Sequence, residues 1–124
     1  MSFLLLFACS DISGQWRDYS FNKSSIPVKF CLEEGCGQLE GFSLDIDKES
    51  LNGDFRLQVE EVGERYIYTV PVEAFVVSGR EWSILADTED YPDLLEQWSC
   101  IVQGRILNCE IGDDLYQFRR GGHP

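Results

Sequence analysis

Few side chains in this sequence are equipped for covalent or metal chemistry: cysteines at positions 9, 31, 36, 100 and 109, and one histidine, His123. A thiol can attack as a thiolate, ligate zinc or oxidise to a disulfide, and its spacing and setting separate these outcomes. Cys31 and Cys36 form C-x4-C and Cys100 and Cys109 form C-x8-C, not the C-x2-C knuckles that structural zinc prefers. No metal is expected. His123 lies in the terminal Gly-Gly-His-Pro, with nothing to hold it as a general base, so neither a Ser-His-Asp nor a Cys-His site has a credible member. Asp45-Ile-Asp47-Lys-Glu49 begins like a calcium loop, yet Ser50 stands where the loop's glycine belongs and Arg56 where its bidentate glutamate belongs. The 22 carboxylates make chance pairs easy and single out no two for glycoside hydrolysis. The chain reads as a non-enzymatic protein without a cofactor.

The elements around the cysteines explain them better. In CIVQGRILNC, residues 100 to 109, Gly104-Arg105 at the centre of a two-residue turn sets the pairs Gln103–Ile106, Val102–Leu107, Ile101–Asn108 and Cys100–Cys109. Gly at the first central position suits a type II′ turn, which needs positive φ there. Trp98, Cys100, Val102, Leu107, Cys109 and Ile111 then share one apolar face, while Ser99, Ile101, Gln103, Ile106, Asn108 and Glu110 share a mixed one. A slip of one residue would destroy this segregation. The two thiols meet at a non-hydrogen-bonded pair, where side chains come closest and a cross-strand disulfide fits. Cys31 and Cys36 can bridge a short hairpin loop in the same way. With Cys9 set aside as the lipid anchor discussed below, four cysteines remain, which formally allow three pairings; the hairpins favour 31 with 36 and 100 with 109. Two disulfides imply an oxidising compartment.

A length of 124 residues and an apolar fraction of 44% fit one domain with one core. The net charge of −12 repels nucleic acid and anionic membrane surfaces and leaves a cationic protein as a candidate partner. The acids cluster at turns: Glu33-Glu34, Glu60-Glu61, Asp87 to Asp93, and Asp113-Asp114. Alternation of apolar and polar residues recurs along the chain, as in Phe42, Leu44 and Ile46 and again in Phe55, Leu57 and Val59, with turn residues between runs. No segment holds a helical period. About nine strands with short connections imply an antiparallel up-and-down β-barrel of 8–9 strands, since closure removes exposed edges.

Phe3 to Ala8 form an apolar run ending at Cys9. Leu6-Phe7-Ala8-Cys9 resembles the end of a bacterial lipobox, which implies a signal remnant over 1–8, a mature domain over 9–124, and Cys9 as a lipid anchor. That places the protein in the cell envelope, anchored to the outer membrane and facing the periplasm or the cell surface, with the lipid as its only membrane contact. Gly14 and Trp16 near the start, with Tyr116, Phe118, Arg119 and Arg120 near the end, resemble small bacterial lipocalin-like lipoproteins. The resemblance implies that Trp16 plugs the base of the barrel and that Arg119 or Arg120 packs over it through a cation–π contact.

Two functions follow as expectations. One is a lipocalin-like module that holds an apolar or lipid ligand among inward residues such as Phe42, Leu44, Phe55, Leu57 and Trp98. The other is an inhibitor or immunity protein that covers a cationic periplasmic enzyme or toxin with an acidic loop, Asp87, Glu89, Asp90 and Asp93, anchored by Tyr91.

Overall fold

The computed structural model describes residues 11–19, 29–32, 35–89, 96–112 and 114–121. These form the strands β1 (Gly14–Asp18), β2 (Lys29–Leu32), β3 (Gly35–Ile46), β4 (Asn52–Glu61), β5 (Glu64–Ser78), β6 (Glu81–Ala86), β7 (Gln97–Gln103), β8 (Ile106–Ile111) and β9 (Asp114–Arg120). Every pairing is antiparallel, and consecutive strands pair from β2 to β9. β1 breaks the meander. It bonds to β9 on one side and to β3 on the other, so the ring closes through eight strands and β2 lies outside it against the N-terminal part of β3.

The core follows from alternation. On β7 and β8 the buried residues are Trp98, Cys100, Val102, Leu107, Cys109 and Ile111, and the intervening ones are partly or fully exposed. The Gly104-Arg105 turn gives the expected register from Gln103↔Ile106 to Cys100↔Cys109. Gly104 has φ +64°, and Arg105 is not among the positive-φ residues, which makes the turn type II′ rather than I′. At the β4–β5 tip both Val62 (φ +49°) and Gly63 (φ +80°) are left-handed, the type I′ pattern. Two bulges interrupt the alternation, between Leu39 and Gly41 and between Val76 and Ser78. The first explains why Leu39 and Phe42, three positions apart, both point inward.

Candidate functional site

Among the described residues, the lumen, the closed base and the outer face of β5 to β7 each collect side chains in a way that could serve a function. The inward residues of β3, β4, β7 and β9 meet across the ring. Phe55 lies edge-on to Trp98 with ring centroids 4.8 Å apart, and Phe42 lies edge-on to Tyr116 and to Phe118 at 5.1 Å each. β4 and β7 are not neighbours in the sheet, so a Phe55–Trp98 contact spans the interior. At this level the lumen is filled by its own side chains. Phe42, Leu44, Phe55, Leu57 and Trp98 are all buried there, as their alternation implies.

At the base, Trp16 and Arg120 are register partners on β1 and β9, which puts their side chains on the same inner face. The Arg120 guanidinium sits 4.2 Å from the ring centroid of the fully buried Trp16. It also donates to the carbonyls of Ser13, at 2.7 Å, and Asp11, at 2.6 Å, while the Trp16 indole N–H donates to the Ile12 carbonyl at 2.8 Å. Burial pushes the Arg120 pKa down from its ordinary value, the Asp11 carboxylate acts the other way, and Arg105 adds to the lowering. Gly14 is required here: its φ of +114° suits glycine, and a Cβ would meet the Arg120 guanidinium at 3.0 Å. Of the two arginines that sequence reasoning offered, Arg120 stacks on Trp16; Arg119 points outward, 6.0 Å from the Tyr19 ring.

The Cys100–Cys109 disulfide is formed, with both residues buried. Cys36 is disulfide-bonded as well and stands opposite Cys31 in the β2–β3 register. Cys9 and His123 lie outside the described residues. Asp47 spends its carboxylate on the β3–β4 corner, accepting from the backbone N–H of Ser50 at 2.8 Å and of Glu49 at 3.0 Å and from the Ser50 hydroxyl at 3.1 Å. The Ser50 backbone bond is the main reason its pKa falls below the usual carboxylate range. That use as a turn brace replaces the calcium-loop pattern, and among the described residues no group of His, Cys, Asp and Glu could hold a metal ion.

The acidic connection is described at its two ends. Asp87 and Glu89 are exposed, as is Glu96 on the far side; Asp90, Tyr91 and Asp93 lie outside the described residues. Asp87 is fixed by its N–H, which donates to the Pro71 carbonyl at 2.9 Å. Glu73, Asp87 and Glu96 line an open recess of about 540 Å3, together with Leu85 and Pro71, and among the described residues no basic side chain lines it. The register continues this recess onto the outer face of the sheet. Glu73↔Leu85↔Gln97 form one outward row, and Phe75↔Ser83↔Ser99↔Glu110 the next. Ser78↔Glu81↔Ile101↔Asn108 form a third. Phe75, Leu85 and Ile101 are 44%, 40% and 42% exposed, in positions where a solvated barrel face would carry polar residues. Sequence reasoning missed this patch, although the signal was present as apolar residues at outward positions of three neighbouring strands. No family model, curated protein or solved structure matches the chain.

Proposed function

We propose that this protein is an exported, non-catalytic binding module that works through its outer surface, docking on a cationic protein. The observation that carries the reading is the recess lined by Glu73, Asp87 and Glu96, which runs into the exposed Phe75, Leu85 and Ile101. Exposed apolar side chains beside a carboxylate-lined recess combine the two ingredients of a protein interface, and the sign of the recess selects a partner rich in Lys and Arg. The disulfide staples agree with an oxidising compartment, and a lipid on Cys9 would hold the module at a membrane there. The aromatic contacts across the lumen are why the outer surface is preferred to a ligand held inside the barrel.

The test uses a basic enzyme of the lysozyme type as a cationic probe, immobilised and titrated with the full oxidised chain at low and high salt. Saturable binding is expected, weakening steeply as salt rises because the recess charges are screened. Glu73→Gln, Asp87→Asn and Glu96→Gln together should lower affinity at least tenfold and flatten the salt dependence. Phe75→Ser with Leu85→Ser should weaken binding while leaving that dependence in place. Equal binding by wild type and the neutralised triple variant, or no saturable binding at low salt, overturns the proposal.

A further inference from the structure

On the opposite side of the barrel the register builds a line of positive charge that the docking face does not use. Arg119↔Arg17↔Ser43↔Arg56 are successive partners on β9, β1, β3 and β4. All point outward, since their neighbours Phe118, Trp16, Leu44 and Phe55 are buried. Adjacent strands are ~4.8 Å apart, so Arg17 and Arg56 stand roughly 10 Å from each other across Ser43. Long, flexible side chains at that separation can converge on one group between them.

Such a row is unexpected in a chain with 22 carboxylates and 10 Lys plus Arg. Arg17 and Arg119 directly face one another, an arrangement of like charges that destabilises a sheet. Among the described residues neither forms an ion pair, and Arg56 has only a long, exposed one to Asp54 at 3.8 Å. The surface between them is concave. Arg17, Ser43, Arg56 and Gln58 line an open recess of about 320 Å3 beside the β3 bulge, where Gly41 contributes no side chain. Asp18 lines it too, so the site is not a bare cationic patch.

We propose that this recess binds a phosphoryl group, with Arg17 and Arg56 as forked donors to its oxygens and the Ser43 hydroxyl and Gln58 amide as neutral donors between them. Guanidinium is the side chain best matched to a tetrahedral oxyanion, because its planar fork supplies two parallel N–H bonds. Asp18 accepts from a hydroxyl or ammonium group next to the phosphate, which favours a phosphomonoester over a bare polyanion. The net charge of −12 does not forbid this. At physiological ionic strength charges beyond ~8 Å are largely screened, whereas the two guanidiniums act at contact. The inference is independent of the docking face.

The experiment titrates the 15N-labelled, oxidised full chain with inorganic phosphate and with glycerol phosphate, against sodium chloride of matched ionic strength. The Arg17 and Arg56 side-chain Nε–H resonances should shift saturably with both phosphates and not with chloride, and the unfolding temperature should rise with phosphate. Arg17→Gln with Arg56→Gln should weaken binding at least tenfold. Arg17→Gln alone should unfold in chloride no earlier than wild type, because it relieves the repulsion with Arg119, which separates loss of binding from loss of fold. Vesicles carrying a phosphomonoester headgroup form a second arm. Sedimentation with them that depends on Arg17 and Arg56 assigns the phosphate to a lipid, and binding of glycerol phosphate alone assigns it to a soluble compound. Shifts of equal size in chloride, or an unaltered phosphate response in the double variant, overturn the site.

Discussion

Removing the Phe55 ring tests whether the lumen is packed. Phe55 is fully buried, with Trp98, Tyr116, Phe118 and Phe42 at centroid distances of 4.8, 5.8, 6.2 and 6.4 Å. Phe55→Ala withdraws about 2 kcal/mol of transfer free energy. A residual cavity on the order of 100 Å3, at about 24 cal/mol per Å3, adds roughly 2.4 kcal/mol. The expected cost is therefore about 4 kcal/mol, a large share of the ~5–15 kcal/mol that holds a domain together. Urea unfolding of the oxidised protein, followed by tryptophan fluorescence, would show a lower midpoint with an unchanged slope. Phe75→Ala is the control, since its ring is 44% exposed and a surface truncation of this kind changes stability by about 0.5 kcal/mol. If Phe55→Ala costs no more than Phe75→Ala, the ring lines open space, and a ligand inside the barrel becomes the better account of function.

Other consequences are as direct. Val62 is fully exposed at 102% and left-handed, so Val62→Asn loses no packing and should raise stability by about 1 kcal/mol in the same urea assay. Cys100→Ala with Cys109→Ala reopens a short loop, the sequence separation being 9, and should cost about 2.7 kcal/mol by the chain-entropy relation; thermal unfolding under non-reducing conditions measures it. Asp47 has a folded pKa below its ordinary 3.8, so its contribution is fully present above that value and is lost as pH falls through the lower folded one. Asp47→Asn should then unfold at a lower temperature than wild type at neutral pH, with the gap closing in acid. Arg120→Gln keeps hydrogen-bonding capacity but removes the charge over Trp16, and should lower the urea midpoint and expose the indole to an aqueous fluorescence quencher.

What could be read from the sequence was local. The β7–β8 hairpin was legible to the residue because Gly104 fixes the turn and the alternation fixes the faces, and neither depends on distant chain. The barrel was legible as a class from repeated alternation and short connections. The position of β1 was not, since its partners are Ser43 to Ile46 and Phe118 to Arg120, which no local pattern announces. The bulge at Leu39 and Gly41 hid only that Leu39 shares the inward face of Phe42, Leu44 and Ile46, by inserting one residue into a period of two. The row of Arg119, Arg17, Ser43 and Arg56 depends on three registers between segments far apart in sequence, so its residues look scattered until the ring closes. The family resemblance offered Arg119 or Arg120 as a partner for Trp16, and only the register on β9 separates Arg120, facing in, from Arg119, facing out.

The clasp of Arg120 on the Asp11 and Ser13 carbonyls has a consequence for how the molecule would be held. It fastens the beginning of the first ring strand to the end of the last, and the Gly121 N–H reinforces it by donating to the Gln15 carbonyl at 2.7 Å. Because the ring strands alternate in direction, the β3–β4, β5–β6 and β7–β8 turns share that end of the barrel, while the Asp87 to Glu96 connection leaves from the other. A tether joined ahead of Asp11 would therefore orient the whole domain like a stalked cup, base toward the anchor and acidic connection outward, and an epitope following Gly121 would report from beside the stalk.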